Sequence, residues 1–203
     1  MMHHTKLLPL VLLGLVLAGC ASTSPPSEFY TLVPMTRPAP ITARLSTVAV
    51  GLGPARLPEY LDRPQIVTRS DAVRLHLDEF QRWGGSLREE FLRTLSQDLA
   101  LQLGSQRVIL YPNDERIPLD YRITMDILRL DGQVGRQTTL LVRWIVLDGE
   151  TGEALSFRQS AIDTPVSTQG YEGIVRANSE AVAALSGEMA QEITRLHDTD
   201  RAR

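Results

Sequence analysis

The sequence predicts an α+β domain: one mainly antiparallel sheet with two long amphipathic helices on one face. Three observations lead there. Leu87, Phe91, Leu95, Leu99 and Leu103 recur at four-residue steps, and Ile174, Val175, Ala181, Val182, Leu185, Met189, Ile193 and Leu196 form a second apolar stripe. Between the two stripes, runs of alternating apolar and polar residues have the period of half-buried strands. The order of elements, strands then helix then strands then helix, suits two layers rather than a doubly wound parallel sheet.

Taken in order, Glu28–Val33 is a short β-prone piece, and Pro34–Pro40, with three prolines, reads as an exposed extended connection. Thr47–Leu52 reads as a strand ended by Gly51, Gly53 and Pro54. Leu57–Pro64 is a proline-bounded loop. Gln65–Thr68 is a strand, and Val73, Leu75 and Leu77 alternate with Arg74, His76 and Asp78 in the next one, after a hairpin-like break at Arg69–Asp71. The first helix spans Ser86–Leu103. Ser86 and Glu89 have capping-box spacing, and Gly104 is a suitable stop. Arg107–Tyr111 is a short strand closed by Pro112. Asp120–Leu130 (with a slip at Leu128), Thr138–Leu147 and Ala154–Ile162 form a meander, with turns at Asp131-Gly132 and Asp148–Glu153. Tyr171–Leu196 is the second helix. The folded domain is expected over 41–197, and 198–203 as a polar tail.

The chain has 203 residues, 43% hydrophobic and 22% charged, which is ordinary globular composition with room for one sizeable core. Its net charge is −3, and the mature part is slightly more acidic because the single lysine, Lys6, precedes Cys20. A mildly acidic domain is a poor binder of nucleic acid, which calls for concentrated basic surface. Cys20 is the single cysteine, so internal disulfides and cysteine-based zinc or iron–sulfur sites are excluded.

The N-terminus points to a compartment. Met1–Lys6 is weakly positive, and Leu7–Ala18 is an apolar run of twelve residues. That is too short to span a bilayer core about 30 Å thick, but right for a signal peptide. Leu17-Ala18-Gly19-Cys20 resembles the bacterial lipobox, in which the peptide is cut before the cysteine and the cysteine is acylated on its thiol and its new amine. Several acyl chains on one residue make a stable anchor, where a single chain gives marginal binding. Residues 1–19 are therefore expected as signal peptide, and 20–40 as lipidated cysteine and tether, with Ala21–Ser27 a stretch lacking any apolar residue larger than alanine. Ala21 and Ser22 after the cysteine, in place of the aspartate that usually accompanies inner-membrane retention, suggest the outer membrane.

Chemistry-bearing constellations are sparse. The mature chain holds two histidines, His76 and His197, on different elements and without a metal-ligand partner nearby in sequence. No serine sits in a nucleophile elbow. Gly51-Leu52-Gly53-Pro54 is too short for a dinucleotide fingerprint, and no phosphate-binding loop precedes a helix. The paired acids Asp78-Glu79 and Glu89-Glu90 read as a strand-end charge and a helix first turn. The expectation is no catalytic, cofactor or metal site. Binding has better candidates. Leu57, Tyr60, Leu61, Asp62 and Arg63 lie in a stiff loop that would lose little entropy on docking, although Tyr60 and Leu61 fit a lid on the core equally well. Trp83, just before the first helix, fits either a core plug or an interface residue.

Several runs together carry a family resemblance: the lipobox cysteine, Phe29-Tyr30-Thr31-Leu32, Val48-Ala49-Val50-Gly51, Tyr60-Leu61-Asp62-Arg63-Pro64-Gln65-Ile66-Val67, and Glu79-Phe80-Gln81-Arg82-Trp83 before a leucine-rich helix. This pattern resembles the ABC-transport auxiliary lipoproteins of the PqiC type and covers nearly the whole mature chain. Gly84-Gly85 departs from it, where a small residue and then proline are expected. The resemblance implies a non-enzymatic outer-membrane lipoprotein with its domain in the periplasm. It further implies that the protein docks the hollow MCE-domain tube of an intermembrane lipid transporter, as a ring of identical subunits. Among other lipoproteins with a small α+β domain, a regulator of a cell-wall synthase is the alternative. The short span from Cys20 to Met35 disfavours it, since such regulators must cross the peptidoglycan.

Overall fold

The computed structural model describes residues 25–35, 45–112 and 117–202. Cys20, the expected signal peptide, and residues 21–24 and 36–40 of the expected tether lie outside them. Among the described residues eight strands and two helices follow one another: β1 (Glu28–Tyr30), β2 (Val50–Arg56), β3 (Gln65–Arg69), β4 (Leu75–Trp83), α1 (Leu87–Leu103), β5 (Val108–Leu110), β6 (Tyr121–Gln133), β7 (Gln137–Asp148), β8 (Ala154–Pro165) and α2 (Gly170–Arg201). The α+β class expected from the sequence is the one observed.

The sheet arrangement differs from the expectation of one mainly antiparallel sheet. There are two sheets, ordered β1-β4-β3 and β5-β2-β6-β7-β8, and both are mixed. β1 runs parallel to β4, and β2 runs parallel to both β5 and β6. Long excursions separate these partners in sequence, and the one from β2 to β5 carries α1 as its crossover, which is what parallel pairing requires. The expected meander β6-β7-β8 is antiparallel throughout. Its inner face stacks Ile123 opposite Val146, Met125 opposite Trp144, Ile127 opposite Val142 and Leu130 opposite Leu140, all buried. The slip read at Leu128 is a register shift between Ile127 and Arg129, which lets Leu130 rejoin the buried face.

Both helices cover that inner face, α2 over β6–β8 and α1 over β2 and β5. Phe91, Leu95 and Leu99 of α1 and Ile174, Val182, Leu185, Met189 and Ile193 of α2 are fully buried with the sheet residues in one core. The left-handed Gly104 ends α1, its N–H donating to Ala100 O. Ser86 has no side-chain capping bond. The expected capping box with Glu89 is therefore not formed, and Glu90, the next residue, turns into the protein.

Three boundaries also moved. β2 continues through Gly53 and Pro54 by means of a bulge between Leu52 and Ala55. Gly53 has φ 122°, and a Cβ there would stand 2.3 Å from Tyr111 O, so glycine fits where the strand bends. Asp131-Gly132 is strand, not turn. The chain reverses at Val134–Arg136, with Gln133 opposite Gln137. α2 extends to Arg201, past the expected start of a polar tail at Asp198. Among the described residues no helix is long and apolar enough to cross a membrane.

Candidate functional site

The proline-bounded loop before β3 is built by short-range bonds: Leu61 N–H donates to Pro58 O (2.9 Å), Asp62 N–H to Glu59 O (3.2 Å) and Arg63 N–H to Leu61 O (2.9 Å). These turns direct Leu61 into the core, where it is fully buried, and leave Leu57 and Tyr60 half-buried against it. Trp83 is also buried, its N–H donating to Pro64 O (2.7 Å). Of the two readings open for Tyr60, Leu61 and Trp83, the side chains therefore take the inward one. Asp62 and Arg63 stay exposed with Glu59, and Asp62 pairs with Arg88 of α1. The loop's outward surface is a charged ridge on an apolar base.

Beneath the loop lies a feature that sequence reasoning missed. The Asp131 side chain has 0% exposure and gathers three donors from three different elements. Arg69 of β3 reaches it through Nε (2.6 Å) and Nη2 (3.2 Å), Arg129 of β6 through Nε (2.9 Å), and the Tyr60 hydroxyl donates to Oδ2 (2.8 Å). Burial, then the bond to Asp131, pushes the Tyr60 phenol up to about 12. The Arg69 guanidinium is raised by its bond to the same carboxylate. Two arginines facing one carboxylate keep a buried charge paired and join the small sheet, the loop and β6 into one body. The sequence signal was faint: an acidic residue at a strand position, read as a turn because glycine follows it. Gly132 is there because a Cβ would stand 2.2 Å from Gln137 O.

A second missed set holds the N-terminal segment. After β1, Leu32 is buried and its N–H donates to Glu90 Oε2 (3.1 Å). Val33 N–H donates to Ser179 Oγ (3.2 Å), and Met35 N–H to Asp98 Oδ1 (3.1 Å). Glu90, Asp98 and Ser179 are all buried, two on α1 and one on α2. Buried polar side chains thus replace a strand partner for backbone that crosses the helix layer.

The sheet face away from the helices carries an open trough of about 610 Å³. Pro54, Ile145 and Phe157 supply its apolar lining, and Arg143 and the Arg56–Asp126 ion pair its charge. Of the expected sparse chemistry, His76 is exposed on β4 and His197 lies half-buried near the end of α2. Among the described residues no group of three or more histidine, cysteine or acidic side chains could hold a metal ion.

The comparisons with known proteins follow this geometry. The crystal structure of an uncharacterized protein matches with a TM-score of 0.69 at 16% identity, over 83% of this chain and 99% of that one. That of a protein from Xanthomonas campestris matches with the same TM-score of 0.69 at 15% identity, over 87% and 100%. At such identities the likeness is one of fold. No curated protein matches the chain. The model of the family described as the ABC-type transport auxiliary lipoprotein component matches residues 30–190, from the last residue of β1 to about two thirds of the way along α2, and so takes in the gripped N-terminal segment, the loop and the Asp131 cluster together. With that span of the fold inside the match, the chain belongs to the family of ABC-type transport auxiliary lipoprotein components.

Proposed function

We propose that the protein is an outer-membrane lipoprotein, held by acyl chains on Cys20 with its domain in the periplasm. It acts there as a non-enzymatic docking component, in a ring of identical subunits, for the MCE-domain tube of an intermembrane lipid transporter. The observation that carries the reading is the grip on residues 28–35. An adaptor transmits position from a membrane to a partner only if its anchor is joined to a rigid body by a short chain. Here the chain after Cys20 reaches β1 within eight residues and is then locked to both helices. Family membership supports the transport role. The Leu57–Pro64 loop is the candidate contact, with Glu59, Asp62 and Arg63 outward and Tyr60, Leu61 and Trp83 as its base. Because it is already ordered, docking would cost little conformational entropy. Tethering in turn raises the partner's effective concentration, so modest intrinsic affinity suffices.

The test compares the native protein with Cys20→Ala and with an Asp62→Arg, Arg63→Glu double variant. Cys20→Ala should leave the outer-membrane fraction yet still be captured by the immobilised MCE-domain protein. The double variant should stay in the membrane and lose capture by tenfold or more. Equal outer-membrane retention of Cys20→Ala would contradict the anchor, and unchanged capture of the double variant would contradict the loop.

A further inference from the structure

We infer that one end of the domain, formed by the β3–β4 and β6–β7 turns, rests on the lipid bilayer and inserts its apolar apices among the headgroups. This rests on the reading that Cys20 is acylated, and adds to it an orientation and a contact surface.

The first argument is reach. β1 is parallel to β4, with Glu28 opposite Gln81 and Tyr30 opposite Trp83. Chain preceding Glu28 therefore arrives from the side of the β3–β4 turn. Eight residue steps separate Cys20 from Glu28, and eight separate Val73, at that turn, from Gln81. Eight extended residues span at most about 28 Å. A bilayer carrying the Cys20 acyl chains thus lies within about 28 Å of Glu28, a reach of the same order as the length of this hairpin.

The second argument is what the apex presents. Asp71 Oδ1 accepts the N–H groups of Val73 and Arg74 (both 2.9 Å), and Ser70 N–H donates to Arg74 O (3.1 Å). The turn so fixed holds Val73 out at 85% exposure, with Leu75 exposed beside it. The β6–β7 turn lies alongside, since Gln133 Nε2 donates to Ser70 O (3.4 Å). It presents Val134 at 45% exposure, next to the exposed Arg136. Apolar tips on ordered turns, with a cation beside them, suit the boundary of an anionic bilayer.

The third argument is charge. The opposite end of β6 and β7 borders a cleft lined by Asp120, Asp148, Glu150 and Asp200, with His197 and with Arg195, whose charge is paired with Glu192. Facing that end to anionic lipid would be repulsive, and the tether arrives at the other end.

The experiment uses the full chain, acylated in its host and reconstituted into phosphatidylethanolamine–phosphatidylglycerol vesicles. Its three variants, Val73→Cys, Phe29→Cys and Glu150→Cys, each carry an environment-sensitive fluorophore, and the vesicles contain brominated lipid. Intact mass of the same sample reports acylation at Cys20. Quenching at position 73 should exceed that at 150 at least threefold. Quenching at 29 but not at 73 would mean that the domain lies on its side, and would overturn the proposal. A label at 73 shielded from aqueous iodide yet unquenched by bromolipid would mean that a protein, or a second copy, covers this end, and would overturn it too. With Cys20 acylated, equal quenching at 73 and 150 refutes the orientation alone. An unmodified Cys20 refutes the anchor as well.

Discussion

Asp131 is the residue on which most depends. Three donors converge on a carboxylate that water cannot reach, so removing its charge leaves Arg69 and Arg129 facing each other without compensation. Asp131→Asn should cost about 2 kcal/mol or more, below the range for a fully enclosed pair because the arginines keep some contact with water. Urea unfolding of the two proteins checks this. The exposed Arg56–Asp126 pair is the contrast, and Asp126→Asn should shift the midpoint far less. Glu192 gives a prediction in pH. Hydrogen bonding from Arg195, with help from Ser156 and Arg158, holds its carboxyl at about 2, against an ordinary 4.5. A folded-state value below the unfolded one adds stability that is complete above 4.5 and vanishes as pH falls towards 2. Thermal unfolding of Glu192→Gln should show a deficit against the wild type at neutral pH, and that deficit should close across this interval.

Among the elements, the segment from β1 to Met35 differs from the rest, because its order rests on side chains. If Glu90 holds Leu32 N–H, then Glu90→Ala should speed hydrogen exchange of the Leu32 and Val33 amides at least tenfold, while amides in the β6–β7 ladder keep their protection. Equal protection of all these amides would show that strand pairing at β1 alone orders the segment. The elements also show what a single sequence can disclose. Both helices and the antiparallel meander were legible, because their periodicity is written in consecutive residues such as Leu87–Leu103 and Thr138–Leu147. The division into two sheets and the parallel partners of β1 and β2 were not, because periodicity reports a buried face and says nothing of which strand lies beside it. The loop was legible as a stiff segment. That Leu61 and Trp83 point inward was not legible, since apolar residues beside turns serve a core and an interface alike. Asp131, Glu90 and Asp98 were illegible for one shared reason. An acidic residue reads as surface until its donors are known, and apart from Arg129 those donors lie 58 to 71 positions away.

For the whole molecule, the parts combine into one body of the kind that the proposed docking role requires. The five-stranded sheet and two helices share one core, the Asp131 cluster ties the small sheet and loop to it, and the gripped N-terminal segment joins all of this to the chain that leads from Cys20. On the proposed function, such a body would hold its partner at a set height above the membrane. That role depends on acylation of Cys20, which lies outside the described residues. The most direct test is therefore the intact mass of the mature protein purified from its own membranes. The account predicts a polypeptide beginning at Cys20 and carrying acyl chains on its thiol and amine. A chain that begins elsewhere, or at Cys20 without added mass, would contradict it.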